Sequence, residues 1–319
     1  MEEEEKFKEV KNPQEFIDMY FPESESATSC IDCDKLAYDN KAGFLELFSL
    51  NDLRAIKQSY LNSQTRKLFY TMVLITRGEA TEVIGHHRYT FSANQMYFIA
   101  ENQLHAIESW SDDLKGIMCL FDADYFLLCL KHQIKLNNFP FFQIGQLPFI
   151  NLSQRESTMM EHLFWKLQSE VALKATFNDD LLVRMFLNII LLESERIYNF
   201  RTPERIYVLS RKEQLAAKFQ LLVNQKAIQL RKVSDYASLL NIHPHYLNDT
   251  VKEIVGASAS AYIYKVIAEE AKSRLIQTSD TISMIAEELN FTDESYFSRF
   301  FKKQTGITPL QYRKKHKQH

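Results

Sequence analysis

Between Arg211 and Tyr312 the chain repeats itself. From Val233 it reads VSDYASLLNIHPHYLNDTVKEIVG, and from Ile282 ISMIAEELNFTDESYFSRFFKKQTG. Ala237 aligns with Ala286, Leu240 with Leu289, Asn241 with Asn290, Tyr246 with Tyr296 and Gly256 with Gly306. The offset is 49 before the turn (286 − 237) and 50 after it (306 − 256), so the copies differ by one residue there. Self-similarity at such a period marks a unit that is folded twice and packed against itself.

Each unit reads as two short helices around a tight turn. Val233, Tyr236, Ala237 and Leu240 follow the i, i+3, i+4, i+7 spacing of one helix face, as do Ile282, Ile285, Ala286 and Leu289. The alanine lets the next helix cross closely. Pro244 suits a first helical position, and Thr292 is expected to cap the equivalent helix before Asp293 and Glu294. The buried stripe of the second helix is expected at Leu247, Val251 and Ile254, and in the other copy at Phe297, Phe300 and Phe301. Gly256 and Gly306 stand where a helix end takes a left-handed residue. This is helix-turn-helix geometry, with a connecting helix expected over about 258–277. Such a helix spans roughly 30 Å, close to the ~34 Å between successive major-groove faces on one side of B-DNA. An ordinary helical bundle, in which the repeat serves packing alone, is the alternative.

At these residues the chain resembles the DNA-binding domain of AraC/XylS-type transcription regulators. The second unit, IAEELNFTDESYFSRFFKKQTGITPLQYRK, carries that pattern most fully, and Thr308-Pro309-Leu310-Gln311 adds a capping box. The first unit departs from it: Asp249 and Glu253 stand where basic residues are common in the family. The resemblance implies that double-stranded DNA is read by His245, Asn248, Asp249 and Lys252 in the first unit. In the second the readers are Glu294, Ser295, Ser298, Arg299, Lys302 and Lys303. Arg299 is expected to grip guanine and Asn248 to pair with adenine. The lysines are expected to neutralise phosphates. RNA polymerase is a further partner that such a regulator, as an activator, implies.

Charge is distributed accordingly. Residues 211–319 hold 17 Lys and Arg against 11 Asp and Glu, a net +6; the chain's −3 leaves −9 for residues 1–210. MEEEEKFKEV lacks an apolar signal region, and no apolar run reaches the length of a membrane span. The expected location is cytoplasmic, with no membrane partner. Four cysteines do not make a disulfide framework, and Cys30 and Cys33 form an isolated C-x-x-C.

Before this domain, residues 42–121 alternate like strands. Segments 69–75, 80–84, 88–91, 95–99, 103–108 and 114–121 are separated by turn signals, which suggests a small barrel or sandwich. Its placement resembles the cupin-like barrel of sugar-responsive family members, and so implies a small-molecule effector. Arg77, His87, Tyr97 and His105 are the candidate ligand-binding residues. A metal site is not expected. His86 and His87 are adjacent and so point to opposite strand faces, and residues 88–100 contain no carboxylate. No cofactor, nucleotide loop or nucleophile constellation is expected either, and hence no enzyme.

Ser153-Gln154-Arg155-Glu156 opens a helix with Met160, Leu163, Phe164 and Leu167 on one face, expected at or beside a homodimer interface. A second helix from 178 is apolar nearly all round, so it requires cover from the barrel and first helix or from a second subunit. The expected fold is α+β: a cupin-like β-barrel with dimerisation helices (residues 1–200), a linker (201–210), and an all-α double helix-turn-helix domain (211–319). The expected function is effector-responsive, sequence-specific DNA binding. The alternative is a ligand-independent regulator whose barrel serves only dimerisation or protein interaction.

Overall fold

Strand periodicity becomes, in the computed structural model, two five-stranded sheets. The strands are β1 (Lys8–Val10), β2 (Leu45–Ser49), β3 (Thr65–Lys67), β4 (Tyr70–Arg77), β5 (Glu79–Ile84), β6 (His87–Ser92), β7 (Gln95–Ile99), β8 (Leu104–Trp110), β9 (Lys115–Phe121) and β10 (Phe149–Asn151). One sheet has the order β1-β3-β8-β5-β6 and the other β10-β7-β4-β9-β2. The expected barrel is therefore a cupin-like pair of sheets, joined by a common core to which Ala80, Ile84, Phe91 and Ile107 contribute from one sheet and Val73, Ile75, Tyr97 and Ile99 from the other. The structure describes residues 8–21, 44–53, 61–126, 136–173, 177–201 and 209–317. Cys30, Cys33 and most of the expected linker lie outside them.

β4 is buried on both faces because its run TMVLI is apolar without alternation. Val73 and Ile75 enter the inter-sheet core, and the other face is covered by helices. The helices of this unit are α1 (Pro13–Tyr20), which lies on the inter-sheet core instead, and α2 (Ala123–Phe126), α3 (Gln154–Leu173) and α4 (Phe177–Arg201). Ser194 of α4 lies against Met96 of β7, its hydroxyl 3.7 Å from the sulfur. The expected capping box opens α3: the Glu156 amide donates to Ser153 Oγ (3.3 Å), and Glu156 Oε2 accepts from the Ser153 amide (2.7 Å). α1 was not legible as an element; it packs Phe16, Tyr20 and Phe21 into the inter-sheet core.

The chain divides into two compact units, residues 1–129 with 135–207, and 130–134 with 208–319. The second is all helical: α5 (Arg211–Lys226), α6 (Val233–Leu239), α7 (Pro244–Val255), α8 (Ala259–Gln277), α9 (Ile282–Glu288), α10 (Glu294–Thr305) and α11 (Pro309–Lys317). Tyr236, Ala237, Leu247 and Val251 share one core with Ile285, Ala286, Leu289, Phe297 and Phe301, and Ile263, Ile267 and Leu275 of α8 run through it. Ile254 and Phe300, expected in the stripes, are only half-buried. Gly256 (φ 83°) and Gly306 (φ 81°) end α7 and α10 in the left-handed region. Asn241 (φ 54°) and Asn290 (φ 59°) take the same region inside the two turns, where asparagine tolerates it better than other side-chain-bearing residues. The cap of α10 differs from expectation: Asp293, not Thr292, accepts from the Tyr296 amide at 2.6 Å. The extra residue of the second copy lies in this stretch, and it places the carboxylate rather than the hydroxyl opposite the free amides.

Candidate nucleic-acid interface and effector site

Both recognition helices project a polar face opposite their buried one. On α7, His245, Asp249 and Lys252 are exposed; on α10, Glu294, Ser295, Arg299, Lys302 and Lys303 are exposed and Ser298 is half-buried. The charges are arranged differently. In α7 His245 Nδ1 lies 2.9 Å from Asp249 Oδ2. Lys212 of α5 donates to both carboxylate oxygens of Glu253, at 2.8 and 2.6 Å. In α10 no ion pair ties Arg299, Lys302 or Lys303 among the described residues. Their positive field is open to an incoming phosphate backbone.

Asn248 has a partner within the domain. It is half-buried, and its Oδ1 accepts from the Ala259 amide at 3.2 Å, at the start of α8. Pairing with adenine would use both the oxygen and the nitrogen of the amide, and here the oxygen already accepts one hydrogen bond, with one lone pair left.

In the N-terminal unit the structure brings together two of the four expected ligand residues, around a third that the sequence reading missed. Glu82 of β5 points into the inter-sheet core. Its Oε1 accepts from Tyr97 Oη (2.8 Å), which reaches across from β7 of the other sheet, and from Trp110 Nε1 (3.0 Å). Its Oε2 is 2.7 Å from His105 Nε2. Lys67 is also buried, its Nζ 4.5 Å from the centroid of the Phe16 ring, and Tyr20 Oη meets Thr65 Oγ1 at 3.3 Å.

Burial alone would raise the Glu82 carboxyl; His105, Lys67 and Tyr97 together hold it below its usual range. Burial lowers Lys67 to about 8 against the pull of Glu82. It also lowers His105, with Lys67 acting in the same sense and Glu82 opposing. His105 Nε2 stands at ion-pair distance from Glu82. A carboxylate only accepts, so the proton sits on Nε2, and buried Nδ1 is left with no partner.

Arg77 does not belong to this cluster: it is exposed and donates from Nε to Asp113 Oδ2 at 3.1 Å. His87 stands at the start of β6, half-buried beside Tyr89. Ile84 pairs with both His87 and His105, which puts the two histidines on one sheet face with a residue between them. The sequence carried a signal for Glu82, since it occupies the inward register between Ala80 and Ile84. Lys67 had no comparable signal.

The expected dimer stripe is covered within the chain. Met160, Phe164 and Leu167 are each 0 % exposed within their own unit, which leaves them no surface to give a partner; Leu163 is half-buried. They face α4, whose Val183, Leu187, Ile190 and Leu191 are buried. The side of α4 away from these residues exposes Leu181, Leu182, Met185 and Ile189, and Trp165 and Leu173 of α3 are exposed as well.

A model of the AraC-like ligand binding domain matches residues 50–187, and a helix-turn-helix domain model matches residues 236–315. The chain belongs to the AraC/XylS-type family. Among curated relatives, the uncharacterized HTH-type transcriptional regulator YisR of Bacillus subtilis is 30% identical over 111 residues, 35% of this chain and 39% of that protein. The HTH-type transcriptional activator RhaR of Shigella dysenteriae is 22% identical over 249 residues, 77% of this chain and 84% of that one. A solved structure, the C-terminal domain of the response regulator AraT from Geobacillus stearothermophilus, is 30% identical across 33% of this chain and 88% of its own, with a TM-score of 0.31. The chain covers 39% of YisR's length and 34% of that of YobQ, another B. subtilis relative. These family relatives bear the names of transcription regulators, one of them, AdaA of B. subtilis, a bifunctional activator and DNA repair enzyme.

Proposed function

We propose that this AraC/XylS-type regulator binds a bipartite site on double-stranded DNA through α7 and α10, and that the second unit supplies most of the base reading. What supports this is the face of α10, where one guanidinium (Arg299) and two lysines (Lys302, Lys303) are exposed without ionic partners among the described residues. In the first unit His245, Asn248, Asp249 and Lys252 are the proposed contacts, the Asn248 oxygen already accepting one bond from the Ala259 amide. Selection of bound sequences from random duplex DNA by the full chain tests the proposal. The expected product is two short elements about one helical turn apart. A set with no shared sequence would refute it.

The N-terminal unit is proposed to sense a small polar molecule at the Glu82 cluster, with Tyr97 and His105 as contacts and His87 beside them. The buried, unpartnered Nδ1 of His105 supports a polar effector that hydrogen-bonds to it. The second reading, a regulator without an effector, is favoured by Glu82 itself, whose oxygens already take three donors. A thermal-shift screen with sugars and small metabolites separates them, because a bound ligand stabilises by mass action. A saturable shift lost in Tyr97→Phe supports the sensor.

A homodimer formed through Leu181, Leu182, Met185 and Ile189 completes the proposal, since these residues form an exposed apolar row on α4. Met185→Glu is expected to lower the oligomeric state in sedimentation. Promoter binding would place the protein in the cytoplasm and beside RNA polymerase, in keeping with the activator role named for RhaR. No helix among the described residues is long and apolar enough to cross a membrane.

A further inference from the structure

α8 carries both helix-turn-helix units, with Tyr264 of α8 against Phe300 of α10 at 5.9 Å between ring centroids. One side chain adds a direct tie between the units. Arg231 lies in the segment between α5 and α6, at the entrance to the first unit. Its Nη2 donates to the carbonyls of Leu289 and Asn290, the latter at 2.9 Å. Its guanidinium carbon stands 3.8 Å from the centroid of the Phe291 ring. Residues 289–291 are the turn between α9 and α10, the place where Asn290 is left-handed. A residue that opens the first unit thus holds the corner that aims the second recognition helix.

The chemistry is particular to arginine. One guanidinium nitrogen, Nη2, serves the two adjacent carbonyls while the planar face of the group stacks on the ring, whereas an ammonium offers a point charge on a flexible stem and no face to stack. The tie is also not part of the repeat. At the repeat offset of 49 the counterpart of Arg231 is Asp280, and the counterpart of Phe291 is Ile242, which has no ring to stack on. Packing would therefore keep each unit folded without Arg231, and the side chain is spent on the relation between them.

We infer that Arg231 is a positioning residue that fixes the separation and angle of α7 and α10, and through them the spacing between the two DNA elements. The inference rests on the proposed DNA binding and names what sets its geometry. Two linked readers gain affinity only where both engage at once, and a rigid tie concentrates that gain on one spacing.

The test uses the full chain and its Arg231→Met and Arg231→Lys variants. Affinity is measured for the selected site, for sites with one base pair inserted or removed between the elements, and for each element alone. The unmodified protein is expected to lose about tenfold or more on a one-base-pair change, as misfit removes joint engagement. Arg231→Met is expected to bind the native spacing about tenfold more weakly, to bind single elements within about twofold of the unmodified protein, and to bind all spacings nearly alike. Arg231→Lys is expected to follow Met, because an ammonium does not donate to both carbonyls and stack on the ring together; it also serves should the Met variant fail to fold. Retention of the native spacing preference in a folded variant would overturn the inference, as would an equal loss on single elements. If the unmodified chain selects no DNA sequence at all, the DNA-binding reading falls, and the inference with it.

Discussion

α7 and α10 are each twelve residues long, each ends on a left-handed glycine, and each buries its apolar stripe in the same core, yet their outer faces differ. α7 ties its carboxylates within the chain, Asp249 to His245 and Glu253 to Lys212, and its Asn248 oxygen to the Ala259 amide, which leaves Lys252 as its one exposed cation. α10 leaves Arg299, Lys302 and Lys303 to solvent. Duplication preserved what the fold needs, the apolar spacing and the caps. The outer faces, which the fold does not constrain, have diverged in charge. Two scaffolds of one design are therefore proposed to contribute unequally to DNA binding.

The largest effects test the shared part of the comparison. Leu247→Ala and Phe297→Ala each remove a fully buried side chain from the common core and are expected to cost about 2–5 kcal/mol of stability. Chemical denaturation of the two variants should show losses of similar size. A loss in only one would mean that the copies are not equivalent even in their packing.

Next in size are the changes at the face of α10. Arg299→Ala is expected to cost about 1–3 kcal/mol of binding, confined to one base position. Lys302→Ala should weaken binding to every sequence alike and reduce the salt slope by about one; titration with salt on selected and scrambled duplexes reads this. On α7 the sign reverses. Asp249→Asn removes a negative charge that repels phosphate, and binding should tighten about two- to fivefold on all sequences. Weaker binding confined to one base position would instead make Asp249 a base reader and reduce the asymmetry between the units.

How much of this was legible in the sequence follows the range of the interactions. The helix faces, Gly256, Gly306 and the capping boxes at Ser153 and Thr308 are local, and local chemistry wrote them plainly. The choice of Asp293 over Thr292 as cap turned on one residue of backbone path between two competent acceptors. What stayed hidden depended on distant partners. Tyr97 and His105 were chosen for their donors, but the group that joins them is Glu82, readable only from its register in β5. Arg77 looked equivalent and points outward to Asp113. Periodicity found the Met160 stripe and could not say that α4 of the same unit covers it. Arg231 looked like any loop cation until its contacts with Leu289, Asn290 and Phe291 were seen.

The most direct test of the unequal contribution is the affinity of the unmodified chain and of Arg299→Ala for the selected site and all its single-base variants, at fixed salt. The account predicts that Arg299→Ala loses discrimination at one base position, within one of the two elements, and keeps it everywhere else. Uniform weakening across all variants, with discrimination intact at every position, would contradict it.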